Sequence, residues 1–542
     1  MDAKGGQSKA ESSLSVPGII IGIVGCVIIT ASSVYTALKM GALPWPSIFT
    51  SITALLALRA LGRSSLAEAN VTQIIMSAGS MVAGGLAFTI PGIWMLGYTD
   101  EVSWVHMLLV ALCGTLLGLV CTALIRKRFI EESGLEFPIG TASAQTLMAS
   151  KAGGKTGAKL FGSMAVSGVW CVARDVLGII PAMLFALPIP GVSFGLYNSP
   201  MLLSVGFLVG GAAMAFWFGG AVLGNLGILV GAPALGLCDV QTAQGIVSSL
   251  GMGLMMGSGL GVIAKDILPK IVSHLRGKGD DSERTTAVSE IRPGVLALIV
   301  AAAALLVCFG LGFGPIVTLV VVAMSFVTTI MSAQSVGQTG IDPMEIFGLI
   351  VLLGVAALGE SNQVKLFFVA GVIAVACGLA GDVMSDFKAG SLVGGSPREM
   401  WIGQAIGAVL GSVVSVVVLV ALVSAYGAGA FGPGQQFVSA QASVVATMVS
   451  GIPNVPAFVV GLVAGIVLYC LGVPSMMIGL GVYLPLYMSL TAPIGALVKA
   501  VWDRVRKEDT EEDGIVVASG LIGGESIVGV IIALVTVIMS MG

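Results

Sequence analysis

Apolar stretches about as long as a bilayer is thick, ~20 residues each, follow one another from residue 17 to residue 541, with one long polar break and otherwise short ones. Lipid supplies no hydrogen bonds to exposed main chain, so such stretches must close their own backbone bonds as helices. Of the 542 residues, 56% are hydrophobic and 10% charged, and the mean hydropathy is +1.03. A soluble domain carries about 25% charged residues, so this chain was not made to face water all round. Its 76 glycines are about twice the ordinary share, and with Ala and Ser they give the composition of helices that pack closely in a membrane. The expected fold class is an all-α polytopic membrane protein. It should have about 14–16 transmembrane segments in two related halves, with some short re-entrant or broken helices. The net charge of −3 says little about partners when lipid is the main solvent, and nucleic acid is not expected. The eight Cys lie mostly inside apolar runs and read as small buried side chains, and there are two His. No metal site or cofactor is expected.

Residues 1–16 are polar and read as a cytoplasmic tail without a cleavable signal. Residues 17–264 form a first transmembrane half, 265–292 a long polar cytoplasmic loop, and 293–542 a second half. Arg59, Arg63 and the Arg126-Lys127-Arg128 cluster alternate so as to fall on the side of Lys4 and Lys9. That places the N-terminus in the cytoplasm, in the inner or plasma membrane of a cell. Spans are expected at 160–187, 201–218 and 221–237 within the first half. Ser143-Ala144-Gln145 recurs as Ser439-Ala440-Gln441, and Ala78–Gly85 resembles Ala389–Gly395. Matching short segments in two halves point towards a transporter's binding site, although in a chain this rich in Gly and Ala such matches also arise by chance.

The segment 131–147 breaks the apolar pattern. Glu131, Glu132 and Glu136 stand beside Pro138, Gly134 and Gly140, followed by small residues ending in Gln145. Basic residues flank it on both sides, so it should dip into the membrane and return, or cross as two short pieces. Irregular backbone at that depth is tolerated only where protein buries it or it lines a wet cavity. Pro138 suits the first turn of a half-helix. The segment reads as the wall of a substrate path.

Charges inside the apolar runs are the next candidates, each with a structural reading beside it. Arg174 and Asp175 are adjacent in a span and should point about 100° apart on a helix, so they are not expected to pair. Asp175 either caps or bridges a neighbour, or serves the mechanism. Glu525 is the acid of the last span and is a candidate for ion coupling, or for bonding to backbone freed by its glycines. Asp382 and Asp386 share a face at i, i+4 with Asp382 the deeper, and they read as a solvated helix end or a cation or proton relay. Asp342-Pro343-Met344-Glu345 looks like a helix start with Asp342 as cap. The uncharged polar set is Asn70, Gln73, Gln145, Asn225, Gln404, Gln441 and Asn454, groups that suit a peptide-like or chelate-like cargo, although many of them must simply hold helices together. Gln145 and Gln441 rank highest because they sit in short segments.

Glu132-Ser133-x-Leu135-x-Phe137-Pro138-x-Gly140-x-Ala142-x-Ala144 resembles the signature of the oligopeptide transporter family, which includes the yellow-stripe-like metal-chelate transporters. Asn225-x-Gly227, Ser396-Pro397 with Gln404-x-x-Gly407, Pro453-Asn454-Val455-Pro456 and Gly520-Leu521-Ile522-Gly523-Gly524-Glu525 agree with it, so the likeness covers nearly the whole chain. It implies a proton-coupled secondary transporter importing small peptides or metal chelates, on the prokaryotic and yellow-stripe-like side. It puts Phe137, Pro138, Gly140 and Gln145 at the path and Glu525 near the core. Thr141, Ser143, Gln441, Asn225 and Asn454 complete the expected cargo-binding set, and Asp175 and Asp382 join Glu525 as candidate coupling acids. A homodimer is left open. No Walker-type loop or His-Glu-x-x-His is present, so an enzyme is not expected. The alternatives are an ion-translocating membrane hydrolase, for which Asp382, Asp386 and Lys388 are too sparse, and a passive solute channel.

Overall fold

Prolines and glycines punctuate the apolar runs, and most helices start or stop at them. The computed structural model describes residues 13–541 apart from 41–42, 44–45, 153, 190–191, 263, 266–268, 270–290, 433–434, 450–451 and 506–510. Most of the expected tail and of the 265–292 loop lies outside the described residues. In the first part of the chain the helices are α1 (Val16–Met40), α2 (Ser47–Ala60), α3 (Leu66–Ala87), the short α4 (Pro91–Met95), α5 (Trp104–Lys127), α6 (Pro138–Ala152), α7 (Gly154–Cys171), α8 (Pro200–Val209), α9 (Gly211–Ala221) and α10 (Val240–Val262). Then come α11 (Pro293–Leu305), α12 (Pro315–Thr339), α13 (Met344–Ala357), α14 (Gln363–Ala380), α15 (Asp382–Leu392) and α16 (Pro397–Tyr426). The last are α17 (Ala440–Met448), α18 (Val455–Cys470), α19 (Ser475–Tyr483), α20 (Leu486–Val505) and α21 (Glu511–Met541). Proline opens α4, α8, α11, α12 and α16, where its missing N–H has no helical partner to lose.

Eight helical spans among the described residues are long and apolar enough to cross a bilayer, and α2, α8, α13 and α18 are apolar but shorter. The class is all-α and polytopic. Two expected boundaries differ. The span placed at 160–187 ends as helix at Cys171, continues as a widened π-turn over Val172–Val176, and gives way to an antiparallel hairpin, β1 (Met183–Ile189) with β2 (Val192–Tyr197). Pro181 and Pro188 cannot extend a helix there. The spans placed at 201–218 and 221–237 are divided at Gly210 instead, whose φ of +86° suits only glycine. Helix then runs from Gly211 through Gly219 and Gly220 into a π-helical stretch, Val222–Gly231.

Burial sorts the helices into interior and lipid-facing sets. The apolar window of Leu66–Met95 is wholly buried and that of Gln363–Leu392 94% buried, against 17% for Pro293–Gly310. Leu298, Phe309, Ile316 and Leu319 stand exposed on α11, the turn after it and α12, as residues against lipid tails do. Lipid gives helices no hydrophobic drive to associate, so close backbone contact at small residues has to hold them. A Cβ on Gly411 of α16 would lie 2.2 Å from the Cα of Gly79 on α3. On α10 and α18, Gly253 and Gly257 face Gly461 and Gly465 in the same way.

Candidate functional site

The segment 131–147 is divided: Glu131, Glu132, Gly134 and Glu136 are exposed, whereas from Phe137 onward it lies inside the bundle, with Phe137, Ala142, Ala144 and Leu147 fully buried. After α5 a π-turn (Arg128–Glu132) leads to Gly134 at φ +66° and to Phe137 at φ +47°. A left-handed conformation is uncommon for a bulky residue and persists only where its surroundings hold it. Here the Phe137 N–H donates to the Gly337 carbonyl of α12 at 3.0 Å. Lys388 of α15 donates to the Leu135 carbonyl at 3.1 Å. Pro138 then opens α6 as expected. The Thr141 hydroxyl donates to the Glu136 carbonyl at 2.7 Å, and Ser143 meets Ser51 of α2 at 2.6 Å. Gly140 lies against the Ser385 backbone of α15. α6 is thereby pressed between α2, α15 and α21. Gln145 is half-buried, and among the described residues its side chain makes no hydrogen bond.

Only one other non-glycine residue among those described has positive φ: Ser439, at +44°, immediately before α17. Its N–H donates to the Leu38 carbonyl of α1 at 2.8 Å. Two short helices thus begin from the same left-handed entry, each pinned to the main chain of a long helix. The two Ser-Ala-Gln stretches do not coincide in these helices, since Ser143 lies inside α6 and Ser439 precedes α17. Half-buried Gln441 follows at the start of α17.

Asn225 and Asn454 are engaged with helices. Asn225 donates to the carbonyls of Ala221 and Leu484 at 3.3 and 3.4 Å. Asn454 caps α18 by accepting from Ala457 N–H at 2.9 Å. Gln404 likewise donates to Thr122 and to the Leu379 carbonyl, at 3.1 and 2.6 Å.

The buried acids depart furthest from expectation. Asp386 is fully buried while Asp382 is only half-buried, so the deeper residue is Asp386 and the pair is no solvated helix end. Asp386 Oδ1 accepts from Gln73 Nε2 and Oδ2 from Ser77 Oγ, each at 2.6 Å, and Asn70 Nδ2 donates to the Asp386 carbonyl at 3.2 Å. Asn70, Gln73 and Ser77 recur at i, i+3 and i+7, one stripe of α3. A polar stripe on a helix buried on all sides must meet a polar partner, and that was the signal for Asp386. Asp342 is not the cap of α13. Helix α13 starts after Pro343 without a side-chain cap, and Asp342 Oδ2 instead accepts from Ser332 at 2.7 Å. Its other oxygen is buried with no partner among the described residues. Ser332 also abuts Gly381, which precedes Asp382, so Asp342 and Asp382 are neighbours across α12, with buried Glu345 beyond them.

Arg174 and Asp175 do pair. Arg174 Nε reaches Asp175 Oδ1 at 2.6 Å and Nη2 reaches Oδ2 at 2.7 Å. They lie in the π-turn after α7, where the helical geometry behind the expectation does not hold, and the long guanidinium folds back on its neighbour. Arg174 also donates to Glu525 at 3.0 Å and to the Asn198 carbonyl, and lies over the Tyr197 ring. Glu525 accepts further from the Ser199 hydroxyl at 3.0 Å and from the Met201 N–H at 2.7 Å. The hairpin end, α8 and α21 are tied together at this point.

A bundle of apolar helices, with short helices entered through strained backbone beside buried carboxylates and amides, defines a multi-pass membrane transporter. The family model described as OPT oligopeptide transporter protein matches residues 14–536, and the chain belongs to that family. It is 24% identical to a putative oligopeptide transporter of Haemophilus influenzae over 92% of each chain. It is 28% identical to the metal-nicotianamine transporter YSL2 of Arabidopsis thaliana over 36% of this chain and 32% of that one. A probable metal-nicotianamine transporter, YSL10, of Oryza sativa subsp. japonica is 27% identical over 38% and 34% of the two chains.

Proposed function

We propose that this protein imports small oligopeptides or peptide-like metal chelates by alternating access, coupled to the inward movement of protons. The reading is carried by α6, a short helix at the heart of the bundle whose half-buried Gln145 has no hydrogen bond among the described residues. A free amide donates and accepts at once, which suits the peptide groups of such a cargo. The path comprises Phe137, Pro138, Gly140, Thr141, Ser143 and Gln145 on one side and Gln441 on the other, while Asn225 and Asn454 hold the helices around it. The names of the relatives, an oligopeptide transporter and metal-nicotianamine transporters, favour this cargo class. The chain enters the membrane from the cytoplasm, and residues 17–264 and 293–542 act as two halves rocking about the path.

The test is a thermal-shift screen of purified protein against tripeptides and iron or nickel chelates, because a specific ligand raises Tm by mass action. Uptake of the best ligand into proteoliposomes follows, with and without a protonophore. Accumulation that ignores the protonophore would refute proton coupling. Gln145→Ala is expected to lower uptake about tenfold, the loss of one well-placed hydrogen bond to cargo at ~1.4 kcal/mol. Its Tm without ligand should match wild type, since the amide has no hydrogen bond among the described residues.

A further inference from the structure

We propose that Asp386 is the residue that carries the coupled proton, with Ser77 as the hydroxyl that follows its protonation state. This rests on the proton-coupled reading above. Asp386 is fully buried, and among the described residues its carboxylate is met by neutral donors: Gln73 and Ser77 of α3 at 2.6 Å each, and the hydroxyl of Ser47 on α2. An ionised carboxylate with no cation beside it is costly to hold in so apolar a setting. Among the described residues the surrounding charges do not supply that cation. On its own helix, Asp382 is of like sign one turn away, and Lys388 donates to the Leu135 carbonyl. On α3, Glu68 is paired with Arg63. At the α5 end, Arg126 is paired with Glu131, also of the π-turn, and the Glu399 carboxylate of α16 accepts from the Ser13 N–H. The acids beyond α12 and on α13, Asp342 and Glu345, are of like sign.

The hydrogen-bond set serves both protonation states without moving a heavy atom. With Asp386 ionised, Ser77 donates to Oδ2 and Gln73 to Oδ1. When a proton arrives on Oδ2, the new O–H donates to Ser77 Oγ, and the Ser77 hydrogen turns to the Ile74 carbonyl, 3.4 Å away. Gln73 keeps its bond to Oδ1. Charge changes by one and no other proton is displaced. The same helix touches the path directly: Ser385 backs Gly140, and Lys388 holds the Leu135 carbonyl at 3.1 Å. A change of charge at Asp386 is therefore transmitted by α15 to the entry of α6.

Infrared difference spectra of the reconstituted full-length protein, perfused alternately with acidic and alkaline buffer, test the proton site without any cargo. Wild type should gain a protonated-carboxyl band in acid that Asp386→Asn lacks. Ser77→Ala should shift that band, and Ser77→Thr should restore it. A band unchanged in Asp386→Asn overturns the assignment. Labelled trialanine and a nickel–nicotianamine complex supply the transport arm. Asp386→Asn, which mimics the protonated form, should lose gradient-driven accumulation and keep exchange counterflow. Wild-type uptake indifferent to a protonophore would sink proton coupling itself, whatever the infrared result. A protonophore-sensitive wild type beside an Asp386→Asn variant that still concentrates probe would sink Asp386 alone.

Discussion

Gly140→Ala is expected to cut uptake on the order of 100-fold, the scale on which a displacement of about 1 Å near a working site is felt. A Cβ at residue 140 would stand 2.3 Å from the Ser385 carbonyl oxygen and 3.0 Å from the Ser385 Cα. Both atoms belong to the backbone of α15, so no side-chain rotation relieves the clash. Overpacking of this kind costs about 1–3 kcal/mol, and relief requires α6 to move away from α15, taking the Phe137 entry with it. Gly162→Ala on α7 is the matched control, because a Cβ there meets no atom within 4 Å. It should stay within about 0.5 kcal/mol of wild type and transport normally. Initial uptake rates and Tm of the two variants decide the matter, and equal rates would remove α6 from the path.

Glu525→Ala should be the most destabilising single change at the Arg174 network, by about 3–5 kcal/mol, the cost of stripping a buried charge of its partner. It leaves Arg174, only 7% exposed, without one of its two carboxylates. It also removes the acceptor that the Ser199 hydroxyl and the Met201 N–H share. Glu525→Gln keeps acceptors for both and should cost less. Asp175→Asn should cost under about 1 kcal/mol, because the Asp175 side chain is 32% exposed. The order of the three falls in Tm checks the assignment. A drop for Glu525→Ala no larger than for Asp175→Asn would mean that the hairpin and α21 are held together elsewhere.

The residues around Pro138 point to the start of a short helix, and the signature from Glu132 to Ala144 points to the family. Proline as helix opener is a local preference, and the motif is contiguous in the chain, so both are legible without a fold. Pairings across the bundle were not. Position in an apolar run points to Asp382 as the deeper acid, whereas burial depends on what the neighbouring helices place around α15, and they enclose Asp386. Ordinary helical angles set Arg174 and Asp175 apart, and a π-turn after α7 brings them together. Asp342 looked like a cap until Ser332, ten residues earlier in sequence, proved to be its partner.

Sequence by itself determined that this chain lives in lipid as helices, that a chain so rich in Gly, Ala and Ser packs them closely, and where the apolar pattern breaks off. These follow from solvent, glycine and proline alone. Only the tertiary structure decided which carboxylates stand without a cation and which are tied to one. A buried charge is satisfied by atoms more than 300 residues away, as Asp386 is by Gln73 and Glu525 by Arg174, and spacing along the chain carries no record of that distance in space.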